Sequence, residues 1–112
     1  MQVFVAQIPG WLTLHEGQFL EKAAKKVRSL PGAIVEVGSY QGKSTIWRAQ
    51  GGEAVYAIDP HKGEFSGGTS GPTKDIFLKN LTRAGIRKQI IPMVKTSRQA
   101  AKNWKQEIKL VF

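Results

Sequence analysis

The sequence has no cysteine among its 112 residues, which excludes disulfide bonds and thiolate metal sites. It also has no apolar run near the roughly 18 residues that a membrane span needs, so we expect no membrane association. Its first residues, MQVFVAQIPGW, lack the basic region and the long apolar run of a secretory signal peptide. A soluble, cytoplasmic protein is the simplest interpretation.

Acidic residues are scarce. Eight Asp and Glu stand against 17 Lys and Arg, a formal net charge of +9. Such a balance can indicate a nucleic-acid partner, but the basic residues are scattered and no block of five like charges occurs. We therefore favour a solvated basic surface, with a nucleic-acid-binding module as the alternative.

Segments of helical and strand pattern alternate along the chain. A capping box at Thr13 and Glu16 predicts the start of the first helix, and Pro31-Gly32 ends it. Further helices are predicted from KSTIWRAQ, TKDIFLKNLTRAG and TSRQAAKNWKQ, and strands from AIVEV, AVYAI, QIIPMV and IKLVF. The Gly- and Ser-rich stretch 62–72 predicts a loop. The residues expected to face inward are Phe19, Leu20, Ala23, Ala24, Val27, Leu30, Ile76, Phe77, Leu81, Ala84, Ala100, Ala101 and Trp104.

Strands that alternate with helices predict a parallel sheet with right-handed crossovers. We therefore interpret residues 1–112 as one domain with a Rossmann-like, three-layer α/β/α fold. In open sheets of this kind, ligands bind beyond the carboxyl ends of the strands. Two predicted loops lie there, the one that follows AIVEV and the one that opens with DPH.

Three chemistries compete for the loop in IVEVGSYQGKST, residues 34–45. A P-loop needs four residues between its glycines, but only three separate Gly38 from Gly42. A dinucleotide loop needs a glycine where Tyr40 stands. A cofactor with cationic groups would suit Glu36, and S-adenosylmethionine has a sulfonium and an ammonium for an acid and a carboxylate for a helix N-terminus. A phosphate binder that uses Lys43 is a weaker alternative.

The pattern VEVGSYQGKS followed by AIDPH resembles the class I S-adenosylmethionine-dependent methyltransferases, in their O-methyltransferase-like branch. The resemblance covers about residues 13–112. It implies S-adenosylmethionine as cofactor, a small molecule as methyl acceptor, and a sheet of strand order 3-2-1-4 in this part of the chain. The cofactor-binding residues that it implies are Glu36, Gly38, Ser39, Tyr40, Gly42, Ser44, Asp59, Pro60, His61, Ser97 and Arg98.

The resemblance also implies roles. Glu36 and Gly38 would line the methionine end, Tyr40 would pack over it, and the Ser44 hydroxyl would hold the methionine carboxylate. Asp59 would accept hydrogen bonds from both ribose hydroxyls. Pro60 and His61 would border the adenine, and Ser97 would meet its edge beside Arg98.

Structural alternatives exist for several of these residues. Glu36 could be a structural acid paired with a lysine, Asp59-Pro60 a simple turn, and Ser97 a helix cap. His61 could be a surface residue. Trp11, Trp47 and Trp104 are interpreted as core or edge anchors, and Lys43 is expected to point to solvent.

The sequence also departs from the family pattern. The family has seven strands, and the metal-binding acids and the catalytic lysine of the O-methyltransferase branch follow the fourth. We therefore expect a truncated, N-terminal cofactor-binding portion that is inactive alone, with no catalytic residue assigned and no support for a divalent metal. A non-catalytic remnant is the alternative. The apolar edge Ile108–Phe112 should join a second copy or a separate C-terminal half.

Overall fold

The computed structural model describes residues 2–62 and 72–112. Nine main elements are defined in this part of the chain. The helices are α1 (Gln2–Gln7), α2 (Leu14–Lys26), α3 (Lys43–Ala49), α4 (Lys74–Arg83) and α5 (Ser97–Lys102). The strands are β1 (Ala33–Val37), β2 (Val55–Ile58), β3 (Ile90–Met93) and β4 (Ile108–Val111), and a 3₁₀ turn, Arg87–Gln89, precedes β3.

The four strands form one parallel sheet in the order β3-β2-β1-β4. Val35 in β1 pairs with Tyr56 on one side and Val111 on the other. Pro92 lies in the edge strand β3, where its missing N–H is tolerated. The predicted α/β class and strand order are therefore confirmed.

The sheet carries a core on each face. Because side chains alternate along a strand, Ile34 packs in the larger cluster with Trp47 of α3 and Phe77 of α4. Val35 packs in the smaller cluster with Ala100 of α5. The short helix α5 is thus the cover over the second face among the described residues.

Helix α1 was not predicted. Val5 of this helix is buried in the larger cluster, and so is Ile8, which follows the helix. Six residues are too few for periodicity to be recognised, and a helix so short is stabilised by packing rather than by intrinsic propensity.

The inward-facing predictions are correct in part. Leu20, Ala24, Phe77, Leu81 and Ala100 are buried. Other members of the set are exposed, so their assignment was wrong: Phe19, Leu30, Ile76 and Ala101. Periodicity identifies an apolar stripe, but the tertiary packing decides which part of the stripe meets the core. Trp104 follows α5 and lies half-buried against Tyr56, and most of the predicted loop 62–72 lies outside the described residues.

The capping box is confirmed. The Thr13 hydroxyl accepts the Glu16 amide at 3.2 Å, and the Glu16 carboxylate accepts the Thr13 amide at 2.9 Å. The next residue, Gly17, is where α2 approaches α3 closely. A Cβ atom there would overlap Nε1 of the buried Trp47. The glycine therefore sets the spacing between these two helices.

Gly17→Ala should destabilise the protein, although alanine is the better helix former by about 1 kcal/mol. The added methyl group overlaps Trp47, and overpacking of this kind costs about 1–3 kcal/mol. Urea unfolding would measure the loss, with Gln18→Ala on the same helix as the control. A stabilised Gly17→Ala variant would show that α2 can move away from α3 at little cost.

Candidate functional site

The loops that follow β1 and β2 lie side by side at the carboxyl end of the sheet. Val37 pairs with Ile58, and the Gly38 amide donates to the Ile58 carbonyl at 2.8 Å. Loop 38–42 and loop 59–61 therefore start next to each other. The sequence predicted that both loops lie at this end, because loops after the strands of a parallel sheet share its carboxyl edge.

The first loop turns sharply through residues of positive φ. Gly38 has φ +88°, and a Cβ atom there would meet nothing within 4 Å, so its outer side faces open space. Tyr40 has φ +49°, which is uncommon for a residue with a side chain. Its amide donates to Oδ2 of Asp59 at 2.8 Å, and this bond stabilises the turn.

Asp59 joins the two loops. Its Oδ2 accepts the Tyr40 amide, and its Oδ1 accepts the His61 amide at 2.7 Å. The half-buried carboxylate thus does more than form a turn with Pro60, because it also fixes the neighbouring loop.

Glu36 is fully buried on the α3 side of β1. Its carboxylate accepts hydrogen bonds from the hydroxyl groups of Ser44, at 2.7 Å, and Thr45. The guanidinium Nε of Arg48 lies 3.5 Å from Oε2 of Glu36. The structural partner is therefore an arginine and two hydroxyl groups, not the lysine of the structural alternative.

Arg48 was not singled out from the sequence. It is buried, and its guanidinium stacks over the Phe112 ring with 4.3 Å between Cζ and the ring centroid. Burial lowers the pKa of Arg48, and the negative charge of Glu36 acts in the opposite direction. A basic residue at the second to last position of a short helix carries no signal of this role, because its partner lies 12 residues away in the chain.

A cleft of about 330 Å³ opens beside the first loop. The predicted cofactor residues Gly38, Ser39, Tyr40 and Ser44 line it. Its other walls are Pro9, Gly10, Trp11, Leu12, Glu16, Lys43 and Phe112. Trp11 is 74% exposed and is not a core anchor, and Lys43 lines the cleft. The segment 9–12 was missed because its position depends on α1, for which the sequence has no pattern.

The other predicted site residues lie apart from this cleft. Gly42 is buried against Phe77, and Pro60 is half-buried after Asp59. Ser97 and Arg98 are exposed at the start of α5, where Thr96, not Ser97, caps the helix. Ser97 lines a separate apolar groove beside β4.

His61 is buried, so its interpretation as a surface residue is wrong. Its Nδ1 lies 2.9 Å from the Thr73 hydroxyl, and its ring packs on Phe77 with centroids 4.8 Å apart. Burial lowers the pKa of His61, an effect that Asp59 opposes and Lys74 reinforces.

Two negative findings apply to the described residues. No group of three His, Asp or Glu side chains there could hold a metal ion. No helix in ranges 2–62 and 72–112 has the length and apolar character of a membrane span.

Comparisons with known proteins give one family match. A family model described as a methyltransferase domain matches residues 35–112, which is well over half of the chain. A search of curated protein sequences finds no match.

Solved structures share the fold. Cofactor-bound Rv0187 from MTB is 21% identical with a TM-score of 0.73, over 99% of this chain and 49% of its own. The O-methyltransferase from Bacillus cereus in complex with SAH is 26% identical with a TM-score of 0.62, over 93% and 46%. The O-methyltransferase TomG from Streptomyces achromogenes, in complex with SAM, is 18% identical with a TM-score of 0.58, over 73% and 33%. The chain thus spans half or less of the length of these structures.

The free energy of unfolding should decrease as the pH falls, and we expect His61 to be one cause. The pKa of His61 is lowered in the folded chain. Below about pH 6.5 the unfolded chain therefore binds more protons than the folded chain, which favours the unfolded state. Stability from this group is present above that pH and lost as pH falls toward the lowered, folded pKa. Urea unfolding between about pH 7.5 and pH 5 should show a smaller decrease for His61→Gln than for the exposed control His15→Gln. Equal slopes would assign the effect to other groups.

Proposed function

Because the chain belongs to the methyltransferase domain family, we propose that it binds S-adenosylmethionine and serves methyl transfer to a small-molecule acceptor. The observation that carries the proposal is Asp59, held at the end of β2 beside the loop of Gly38 and Tyr40. When bound, the cofactor would supply a methyl group on a positively charged sulfur. The residues of this chain bind and orient it.

Asp59 fits a ribose. Each carboxylate oxygen accepts one backbone amide and keeps a further lone pair. The two adjacent hydroxyl groups of a ribose can donate one hydrogen bond to each oxygen. The two amide bonds hold the carboxylate in one orientation, so little entropy is lost when the sugar binds.

The floor of the cleft also fits a ligand. Gly38 faces open space, and the buried hydroxyl of Ser39 has no hydrogen-bond partner among the described residues. A buried polar group without a partner is costly, and a ligand or a water molecule in the cleft would satisfy it. Pro60 and His61 follow Asp59 and would border the adenine through their backbone and the proline ring.

A nucleotide triphosphate fits less well. Lys43 lines the cleft, but the loop is one residue short of a P-loop. Asp59 at the end of β2 would repel phosphates, although the charge of the buried Glu36 is balanced by Arg48. A nucleic-acid partner would have no use for these two acids.

Replacement of Asp59 should weaken binding of S-adenosylhomocysteine. We expect Asp59→Ala to lose about 1–3 kcal/mol of binding free energy through the ribose hydrogen bonds. Calorimetry would measure it, with Asp75→Ala on the exposed first turn of α4 as control. A 2′,3′-dideoxyribose analogue should bind the unmodified chain and Asp59→Ala equally. ATP binding that Lys43→Ala abolishes, without a response to S-adenosylhomocysteine, would contradict the proposal.

We also propose that a second copy of the chain pairs with strand β4. The two edge strands of the sheet differ in how well they are protected against pairing with another chain. Edge strand β3 contains Pro92, which interrupts its hydrogen-bonding groups. Edge strand β4 has no proline, and its charged residue Lys109 turns inward to Glu53, at 2.6 Å, and to the Leu30 carbonyl, at 2.9 Å.

The edge of β4 is therefore apolar and lacks a guarding charge. Val111 and Phe112 are 60% and 59% exposed, and the groove of about 390 Å³ between α5 and β4 adds Trp104 and Ile108. Two-fold dimers are the commonest assemblies of soluble proteins, and pairing of β4 with its copy would cover this edge. Phe112 also lines the cofactor cleft, so the partner would lie beside the site.

Val111→Lys should shift the assembly toward a monomer, because it restores a charge at the edge. Light scattering at tens of micromolar would report the mass, with Ile91→Lys on the opposite edge strand as control. If the unmodified chain is a monomer, the proposal is contradicted. The alternative is then that a separate polypeptide pairs with β4.

A further inference from the structure

The hydroxyl group of Thr73 does not cap the helix that follows it. Thr73 is the N-cap residue of α4, a position where a threonine side chain usually accepts an amide of the first turn, but no such bond is present. Its Oγ1 lies 2.9 Å from Nδ1 of His61 instead, and the residue is 2% exposed. The chain therefore uses this hydroxyl group to hold the imidazole ring at the start of α4.

Two further contacts fix His61 against the same helix. The Thr73 amide donates to the His61 carbonyl at 2.9 Å, and the His61 ring packs on Phe77 of α4. His61 has φ +56°, which is uncommon for a residue with a side chain and persists where the surroundings hold it. Helix α4 thus anchors loop 59–61 through both the ring and the backbone of His61.

The anchored loop carries one of the two bonds that orient Asp59. The His61 amide donates to Oδ1 of Asp59 at 2.7 Å, while Oδ2 accepts the Tyr40 amide of the other loop. If the His61 ring leaves its place, the amide of the same residue moves with it and Oδ1 loses its donor. The carboxylate then turns more freely, and a diol that binds to it must pay more entropy.

A proton on the ring would act against this anchor. The imidazole lies at the N-terminus of α4, where the backbone amides carry partial positive charge, and Lys74 is the first residue of that helix. Burial lowers the pKa of His61, Lys74 lowers it further, and Asp59 acts in the opposite direction. The nearby charged residues Lys62 and Asp75 are exposed, so solvent screens them. The folded site therefore favours the neutral ring.

We propose that His61 and Thr73 are positioning residues for Asp59, so that cofactor binding and protonation of the His61 ring oppose each other. This inference rests on the proposed function, because it concerns the carboxylate assigned to the ribose. Both residues are buried, and their side chains act on the ligand through the His61 amide. Affinity for the cofactor should therefore decrease in acid, and binding should release to the buffer the proton that a protonated ring carries.

The test is calorimetry with S-adenosylhomocysteine at about pH 7.5, 6 and 5, in two buffers that differ in ionisation enthalpy. The dependence of the measured heat on the buffer gives the number of protons released on binding. Circular dichroism at each pH would verify that each sample is folded.

The variants separate the ring from its anchor. In His61→Asn the side chain tolerates positive φ and offers an amide to Thr73 but does not titrate. Thr73→Val removes the hydroxyl group at nearly constant volume and removes no capping bond, and Thr73→Ser restores the hydroxyl group. The exposed His15→Asn and Thr82→Val are the matched controls.

We expect the unmodified chain to bind about threefold more weakly at about pH 5 than at about pH 7.5, and to release protons on binding at the lower pH values. His61→Asn should lose both effects and bind at neutral pH within about twofold of the unmodified chain. Thr73→Val should weaken binding about fivefold at neutral pH, and Thr73→Ser should restore it. The two controls should behave as the unmodified chain does.

The outcomes separate this inference from the proposed function. If the unmodified chain binds equally at all three pH values, or if His61→Asn keeps the same pH profile and proton release, the inference is overturned while the proposed function stands. It is also overturned if Thr73→Val binds as tightly as the unmodified chain. If Thr73→Val does not fold, the His61→Asn profile decides. If the unmodified chain does not bind S-adenosylhomocysteine even at about pH 7.5, both are overturned.

Discussion

The buried carboxylate of Glu36 is the interaction on which the site depends. It accepts hydrogen bonds from Ser44 and Thr45 and so holds the first turn of α3 against β1. Its charge is balanced by Arg48 of the same helix. Removal of one partner from such a buried pair is far more costly than its presence is stabilising. The network therefore serves chiefly to hold one arrangement of strand, loop and helix.

Asp59 in turn holds the loop that borders the cleft. Its carboxylate accepts the amides of Tyr40 and His61, and Tyr40 also lines the cleft. The acid therefore fixes the position of one wall of the cleft. The positive φ of Tyr40 is a strained feature that the bond to Asp59 stabilises, which is common at binding loops.

Among the residues that the structure describes, the second face of the sheet carries fewer covering elements than the first. Parallel sheets are normally covered on both faces, and here α5 is the cover on the side of Val35. The groove beside β4 and the exposed Val111 follow from this. The chain matches half or less of the length of the solved structures that share its fold, and the exposed surface lies at the open edge of this shared part.

The sequence by itself determined the α/β class, the four strands and the two loops that form the site, because period-two and helical patterns, glycines and caps act over a few residues. The resemblance added the strand order and the acid after β2. Tertiary structure alone decided the partners of Glu36, the burial of His61 and the position of Trp11. These depend on contacts between residues far apart in the chain, such as Glu36 with Arg48 and the segment after α1 with Lys43. Local patterns carry no record of such contacts, since the same side chain serves as a surface group, a core group or a ligand according to what packs against it.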